Sequence, residues 1–437
     1  MPLLDSLAGP AMFLVAALPG GACLWLGARS LLGFHSSERH VARCMRWVFS
    51  LALACALAAG VSLYAQGVPA LTLRVGGWKL TQGLDFRFVL QLDRLSLPFV
   101  LLSTSLCGLV AAFSERYLHR ESGYQRYFFL LCVFSLGYNL TILAGSIEVL
   151  YASWELLGLS SAMLIGFFQE RPGPVRNGLY AFIVYRFCDL GLILASVFVF
   201  SNAHAGAFQA WLGQGYWPHC HSALSSAAAT VVGFLLLLSA AGKAAQFPFS
   251  GWLPRAMEGP TPSTAVFYGA LSVHAGAYLM LRGGSLLDAS PVLSLAVFAL
   301  GLTTALYARL VGKVQTDRKC SLAYSSLAHV GLIFAEIGLG LRWLPVVHAI
   351  GHASLRSIQF LKAPSVLHHI HEMQTTLEGY RPGSSGRISP ALYAFSMEKG
   401  YLEVLQERLL LRPFYGLCSR MRRLDAWVLR KLVGPEP

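Results

Sequence analysis

The chain has 437 residues, of which 55% are hydrophobic and only 13% are Asp, Glu, Lys or Arg. An ordinary soluble domain carries about twice that charged fraction, so the composition excludes a soluble enzyme. Basic residues outnumber acidic ones by 34 to 21, and their placement, described below, favours a lipid surface over nucleic acid. The 9 cysteines are scattered and mostly lie in apolar runs, so we expect neither disulfides nor a bound metal.

Apolar runs long enough to cross a bilayer fill most of the chain, since each span needs roughly 20 residues. They predict an all-α polytopic membrane protein with about eleven transmembrane helices. The predicted spans are 11–33, 47–67, 95–114, 126–145, 147–168, 178–201, 225–247, 262–282, 290–311, 320–341 and 344–366. The first run has no basic region before it, which indicates a retained span rather than a cleaved signal peptide.

The loops between these spans alternate in charge. One set carries nearly all the loop Arg and Lys, whereas a loop of the other set, 202–224, has none. The positive-inside rule places the basic loops in the cytoplasm, and an odd number of spans then places the N-terminus outside and the C-terminus inside. We expect a multi-pass protein of the inner (plasma) membrane, in contact with the lipid bilayer and with no nucleic-acid partner.

Two segments depart from the pattern of spans. Segment 70–92 alternates polar and apolar residues around three glycines, which predicts a small β-hairpin on the outer face. From Ser389 onwards apolar residues recur every three or four positions with arginines on the other faces, which predicts amphipathic helices. These helices lie on the cytoplasmic membrane surface or pack on a partner subunit; the pattern favours neither.

The same changes of composition divide the chain into three parts. We expect N-terminal spans and the hairpin in 1–94, a transmembrane core in 95–366 and a cytoplasmic amphipathic tail in 367–437.

Ionisable side chains at membrane depth are costly, so each is a candidate functional residue. Glu155 lies inside the fifth span, in SWELLGLSSAMLIGFF, where a carboxylate must be protonated, hydrated or paired across helices. Arg186 and Asp189 are three residues apart on one helix face and can pair with each other. Their spacing suits a neutralised ion pair and a conducting role equally well.

Lys243 is the strongest single candidate for a functional residue. It lies among small residues, and Pro248, five residues later, must break the helix because it lacks an N–H. A charge beside a broken span is typical of transporter ion sites, where freed carbonyls and water stabilise it. Glu155 is its expected partner. The alternative is a lysine that extends to the membrane interface.

Histidines form a third candidate group. His348, His352 and Arg356 recur at intervals of four on the eleventh span and share one stripe. His274 and His329, on other spans, either extend this stripe or are packing residues. Two histidines at this spacing can hold a metal, but no acidic or cysteine ligand accompanies them. A polar stripe that passes protons along a hydrated path is the better interpretation.

These residues also carry a family resemblance. The stretches YASWELLGLSSAMLIGFF, AGKAAQFPFSGWLPRAMEGPTPSTAVFYGALSVHAGAYLMLR, TDRKCSLAYSSLAHVGLIF and VVHAIGHASLRSIQFL resemble the antiporter-like subunits of respiratory complex I and of multisubunit cation/proton antiporters. The resemblance covers about residues 90–365. It implies a fold of inverted five-span repeats with a broken helix, a proton-transfer pair at Glu155 and Lys243, and a hydrophilic axis through His348 and His352. Lys319, in the third of these stretches, joins the candidate proton-transfer residues.

Three departures from the family pattern stand out. Arg356 replaces the usual lysine, FYGALSVHAGA has Tyr268 and His274 in place of histidine and threonine, and the second repeat is truncated after residue 366. An arginine does not readily release a proton. The stretch FYGALSVHAGAYLMLR, the following QFLKAPSVLHH and the basic tail are similar to the DabB branch, the membrane subunits of DAB inorganic carbon transporters. That resemblance implies a large, zinc-containing DabA-like partner that resembles a carbonic anhydrase.

We therefore expect a non-enzymatic transporter subunit, without a cofactor of its own, that conducts protons or sodium and couples this movement to bicarbonate or carbon dioxide uptake. One alternative is an antiporter-like subunit of a proton-pumping NADH-quinone oxidoreductase or of a cation/proton antiporter. Another is a non-conducting membrane scaffold for a cytoplasmic enzyme.

Overall fold

The computed structural model describes residues 2–34, 36–81, 84–213, 215–363 and 389–433. The helices of the membrane region are Pro2–Leu31 (α1), Glu38–Ala65 (α2), Ser96–Tyr117 (α3), Tyr124–Leu143 (α4), Ile147–Ile165 (α5), Pro172–Ala203 (α6), Phe208–Trp211 (α7), Ser226–Lys243 (α8), Trp252–Arg255 (α9), Thr261–Arg282 (α10), Gly284–Ala289 (α11), Pro291–Gly312 (α12), Arg318–Gly338 (α13) and Trp343–Lys362 (α14). Within the described ranges, 9 of these are long and apolar enough to cross a membrane. Helices α5 and α14 occupy the other two predicted spans. The all-helical membrane fold is therefore confirmed, with a helix count close to the predicted one.

The predicted hairpin is present. Strands Ala70–Thr81 (β1) and Leu84–Asp93 (β2) pair antiparallel, as the alternation of side chains predicts. Its second strand leads into α3 and also bonds the start of α5, where the Gly145 amide donates to the Val89 carbonyl over 2.9 Å. The hairpin thus lies against the end of the bundle at which α5 begins.

Helix α10 is the centre of the bundle, because every one of its residues is buried. Its middle turns, Thr264–Leu271, are π-helical. Such turns widen a helix locally and are frequent at functional sites. Helices α3, α4, α8, α13 and α14 all pack against it.

The break in the seventh span comes earlier than predicted. Helix α8 ends at Lys243 rather than running to 247, because Ala245 adopts a left-handed conformation with φ of 52°. The Gln246 amide then donates to the Ala241 carbonyl and the Ala245 amide to Gly242, the two hydrogen bonds of a Schellman C-cap. Pro248 therefore lies in the irregular segment that follows, and the prediction that it ends the helix is wrong.

Groups from other parts of the chain satisfy this irregular backbone. The Trp252 indole donates to the Gly242 carbonyl over 3.0 Å, and the Phe247 amide donates to Thr304 Oγ1 over 3.0 Å. Exposed peptide groups are costly in lipid, so such partners are what permits a broken helix at membrane depth.

The tail forms the expected amphipathic helices where it is described: Pro390–Met397 (α15), Leu402–Gln406 (α16) and Arg412–Val433 (α17). The predicted tail residues 367–388 and 434–437 lie outside the described residues. Helix α16 packs on the broken segment, where the Gln406 amide donates to the Pro248 carbonyl and Arg255 pairs with Glu403 over 2.6 Å. The tail thereby fastens the segment that follows Lys243.

Candidate proton-transfer site

Lys243 lies inside the bundle, not at its surface. Its side chain is 1% exposed, and Nζ donates to the Trp154 carbonyl over 3.3 Å. The ammonium also faces two aromatic rings, 4.4 Å from the centre of Tyr185 and 5.2 Å from that of Trp154. Ring faces stabilise a cation without accepting its proton. The interface position considered for this lysine is therefore not the one observed.

The carboxylate linked to Lys243 is Asp189 of α6. The Trp154 indole N–H donates to Asp189 Oδ1 over 2.6 Å while the carbonyl of the same residue accepts from Lys243. One tryptophan on α5 therefore links the lysine of α8 to the aspartate of α6. Sequence reasoning assigned Asp189 only to a local pair with Arg186, because helical spacing says nothing about neighbours on other helices.

Glu155 pairs with Arg186 rather than with Lys243, which corrects the expected Glu155–Lys243 pair. Arg186 Nη1 meets the Glu155 carboxylate, and its Nη2 lies 2.8 Å from Asp189 Oδ2. One guanidinium is thus shared by two carboxylates, as its planar fork of donors allows. The result is a chain of alternating charge from Glu155 through Arg186 and Asp189 to Lys243.

A glycine provides the space in which the cations approach α5. A Cβ on Gly158 would lie 2.7 Å from Lys243 Nζ and 3.1 Å from Arg186 Nη2. Real Cβ contacts are not that close, so the glycine of the W-E-x-x-G-L motif is required for this arrangement.

The histidines form a second group, on α10, α13 and α14. His352 Nδ1 lies 3.2 Å from His274 Nε2, and the rings of His352 and His329 stack with their centres 5.2 Å apart. His329 Nδ1 lies 3.1 Å from His348 Nε2. The structure therefore brings together all four candidate histidines, although they come from three helices.

The hydrogen-bond partners assign the protons of two of these rings. Arg356 Nε donates to His352 Nε2 over 3.4 Å, so neutral His352 carries its proton on Nδ1 and donates it to His274. His274 then carries its proton on Nδ1, which donates to the carbonyl of Ala270 in the π-helical turn. The side chains of Gln359 and Ser325 accept the remaining Arg356 bonds. Arg356 thus orients the chain of imidazoles and holds a positive charge beside it.

An acidic residue that sequence reasoning missed ends this chain. Glu336 Oε1 of α13 lies 2.8 Å from His348 Nδ1. The search for an acidic metal ligand near the two histidines of α14 did not find Glu336, because this residue comes from the neighbouring helix. It lies inside a predicted span, 320–341, so the rule that singled out Glu155 would also have found it.

Lys319 stands apart from both groups. Its Nζ lies 2.9 Å from Thr261 Oγ1, at the start of α10. That position joins α13 to α10 but does not connect with Lys243 or with the histidines.

Comparison with known proteins places the chain in a family. Residues 144–381 match the family described as "NADH:quinone oxidoreductase/Mrp antiporter, TM". Residues 78–128 match that described as "NADH-Ubiquinone oxidoreductase (complex I), chain 5 N-terminus". The first match contains all the proton-transfer candidates.

Two curated relatives illustrate the similarity. The chain is 33% identical over 431 residues to NADH-quinone oxidoreductase subunit L of Mycobacterium tuberculosis, covering 95% of this chain and 63% of the relative. It is 31% identical over 340 residues to chloroplastic NAD(P)H-quinone oxidoreductase subunit 5 of Saccharum officinarum, covering 77% and 44% of the two chains. The chain thus spans less than two thirds of the length of these relatives.

Two solved structures share the fold. A chain of the Mrp complex from Dietzia sp. DQ12-45-1b gives a TM-score of 0.68 at 27% identity, over 80% of this chain and 37% of that one. A chain of the membrane-bound sulfane sulfur reductase, an archaeal respiratory membrane complex, gives 0.65 at 21% identity, over 80% and 70%, and shows the fold alone. Since the first family match covers more than half of the sequence, the chain belongs to the NADH:quinone oxidoreductase/Mrp antiporter family of membrane subunits.

Proposed function

We propose that this chain is a proton-conducting subunit of a larger membrane complex and that Lys243 holds and releases the transferred proton. The observation that carries the proposal is a buried lysine at a helix break, linked through Trp154 and Asp189 to the Arg186–Glu155 pair. An ammonium at membrane depth is stable only while its partners compensate for the lost water. A change in those partners therefore changes how strongly the proton is held.

The shared guanidinium supplies that change. When Glu155 takes up a proton, its carboxylate charge is lost and Arg186 keeps Asp189 as its charged partner. Asp189 is then more fully neutralised and stabilises the ammonium of Lys243 less. The lysine releases its proton towards the interior, and transfer of the Glu155 proton through water to the neutral amine then restores both charges.

The onward route leads from Lys243 to the histidines. The buried hydroxyls of Tyr185 and Ser272 neighbour each other and have no further hydrogen-bond partner among the described residues, and Ser272 lies two residues before His274 on α10. Buried polar groups of this kind are ordinarily satisfied by water. A neutral imidazole accepts a proton on one nitrogen and releases one from the other, so His274 and His352 continue the path. Water then carries the proton past the stacked rings of His352 and His329 into a cavity of about 670 Å³, which His329 lines with Ser321 and Ser325 on the face opposite the hairpin.

The experiment is proton flux into proteoliposomes that contain the purified complex, with Lys243→Gln compared with native protein. We expect flux to fall to background because glutamine cannot take up a proton. Lys313→Gln, which removes the same charge from an exposed position, is the matched control and should conduct normally. Normal flux through a correctly assembled Lys243→Gln complex would exclude this lysine from the mechanism, and absence of flux from the native complex would support the scaffold alternative.

Inorganic carbon uptake is a second candidate for the process to which flux is coupled. The stretch FYGALSVHAGAYLMLR favours it, and one of its two unusual residues lies on the proposed route: His274 meets His352, whereas Tyr268 donates to the Ser161 carbonyl over 2.6 Å. A large zinc-containing subunit that co-purifies with the chain would favour carbon uptake, and Lys243→Ala should then abolish bicarbonate accumulation without loss of partner binding. Quinone-reducing or iron–sulfur subunits would instead identify a redox pump, and other antiporter subunits a cation/proton antiporter.

The alternation of loop charge supports an orientation as well. We place the N-terminus outside the inner membrane and the tail, 367–437, in the cytoplasm. The hairpin then faces outward. Cysteine labelling from either side of sealed vesicles tests this orientation.

A further inference from the structure

A second acidic residue of α5 lies outside the mechanism described so far. Glu148 stands at the start of this helix, on the side of the hairpin, and both its carboxylate oxygens are buried. Neither has a hydrogen-bond partner among the described residues. A carboxylate that simply caps its helix would accept backbone N–H bonds, and this one accepts none of those described.

The residue borders a crevice of about 290 Å³ between the hairpin and α5. The crevice is lined by Val75, Gly76, Gly77, Phe86, Arg87 and Phe88 of the hairpin and by Glu148, Val149 and Ala152 of α5. Gly206 packs so closely against the carboxylate of Glu148 that a Cβ atom on this glycine would not fit. Glu148 thus lies beside a space large enough for several water molecules, while the surrounding chain covers its two carboxylate oxygens.

The crevice lies on the same side of α5 as the Arg186-bound glutamate. Glu148 and Glu155 are seven residues apart and therefore project from one side of α5, separated by about 10 Å along the helix axis. Ala152, which lines the crevice, lies between them and is exposed. A small side chain at this position leaves room for water between the two carboxylates.

We infer that Glu148 is the access carboxylate of the proton path on the hairpin side: its side chain turns from Gly206 into the crevice, accepts a proton from external water and passes it through water in the crevice to Glu155. The inference rests on the proposed function and extends it to a second carboxylate. Each transfer breaks one O–H bond and forms another, so the crevice water is unchanged after the proton has passed. The reverse sequence serves flux in the opposite direction.

The first test is proton flux through the reconstituted complex with Glu148→Gln. We expect flux to fall about tenfold or more, because the amide keeps the shape of the side chain but cannot carry the proton. Glu148→Asp should recover a large part of the flux, which a purely structural role would not predict. Glu121→Gln, in an exposed loop, is the control.

The second test probes the crevice without changing its carboxylate. Cysteine at Ala152 should react with a positively charged thiol reagent added on the hairpin side, and the adduct should block flux. Gly76 has open space where a Cβ would lie, so Gly76→Phe should also reduce flux by filling the crevice.

The outcomes separate this inference from the proposed function. Normal flux in Glu148→Gln together with none in Lys243→Gln would overturn the inference and leave the function standing. An unreactive cysteine at position 152 would overturn it as well, because the crevice would then lie in lipid. Normal flux in both variants would remove the proposed function too.

Discussion

At the scale of single residues, the central feature of the candidate site is one guanidinium, that of Arg186, which two carboxylates share. Arg186 bonds both Glu155 and Asp189, and Trp154 links Asp189 to Lys243. A proton gained at one end of this chain is therefore felt at the other through charge, without movement of the helices. The site needs close contact between these groups, since Coulomb interactions weaken with distance and with access of water.

Gly158→Ala tests how much that closeness matters. The new methyl group would displace the Lys243 ammonium from the Trp154 carbonyl, so we expect proton flux to fall about tenfold or more. Protein stability should change little, because the displaced atom ends a flexible side chain and alanine favours a helix by about 0.5–1 kcal/mol. Gly351→Ala, in α14 with open space beside it, is the matched control. Equal flux in the two variants would show that the position of the amine is not critical.

The sequence predicted which residues matter better than it predicted their partners. Glu155, Lys243, Arg186 and Asp189 stand out because charge in an apolar run is costly. Partner choice depends on the rotation and depth of α5, α6 and α8 relative to one another, which spacing within one helix does not contain. The roles of these residues in proton transfer stay predictions.

At the scale of elements, the break after Lys243 is held by the tail. Glu403 of α16 bonds Arg255 over 2.6 Å and Lys399 over 2.8 Å, and the Lys399 carbonyl accepts from Tyr307 over 3.0 Å. Burial alone would raise the pKa of the Glu403 carboxyl, but its hydrogen bonds with Arg255 and Lys399 outweigh burial and hold the pKa below its ordinary value. Ionised Glu403 therefore stabilises the docked tail.

This lowered pKa predicts how tail docking depends on pH. The stabilisation is fully present above the ordinary pKa of a glutamate, about 4.3, and is lost as the pH falls through the lowered value. A fluorophore on the exposed Cys418 reports the change as a drop in anisotropy in acid. Glu403→Gln should show low anisotropy already at neutral pH; a value as high as that of the native protein would mean that the carboxylate does not fasten the tail.

Elements with a strong local signal were predicted well. The hairpin follows from strict alternation around glycines, and the spans follow from apolar length. The end of α8 was misplaced because its left-handed residue is Ala245, where glycine is the usual signal. The proline marked the irregular segment but not the last residue of the helix.

At the scale of the whole molecule, one buried ion pair joins the hairpin to the central helix. Asp93, 0% exposed, bonds Arg282 of α10, 5% exposed, and Arg282 also donates to Tyr278 over 2.7 Å. The two partners are 189 residues apart in sequence. This pair fixes the hairpin, and with it the crevice beside Glu148, to the interior of the bundle.

Asp93→Asn should therefore destabilise the entire protein. It leaves a buried guanidinium without a counter-charge, for which a loss of about 3–5 kcal/mol is typical. Thermal unfolding in detergent, followed by tryptophan fluorescence, measures the change. Asp288→Asn removes the partner of Arg342 at a site where the aspartate is 53% exposed, and exposed pairs contribute only about 0–1 kcal/mol. Similar unfolding temperatures for the two variants would contradict the importance of the buried pair.

Helix α10 is enclosed by other helices and does not need to be strongly apolar, which affects how it inserts into the membrane during synthesis. Among the 9 candidate spans it has the lowest mean hydropathy, and it carries His274 and Arg282. A segment of this kind is a weak signal for the insertion machinery when judged alone. Its insertion into the bilayer thus depends on helices synthesised before and after it. If those helices fail to insert, we expect this segment to be the first that fails to enter the membrane.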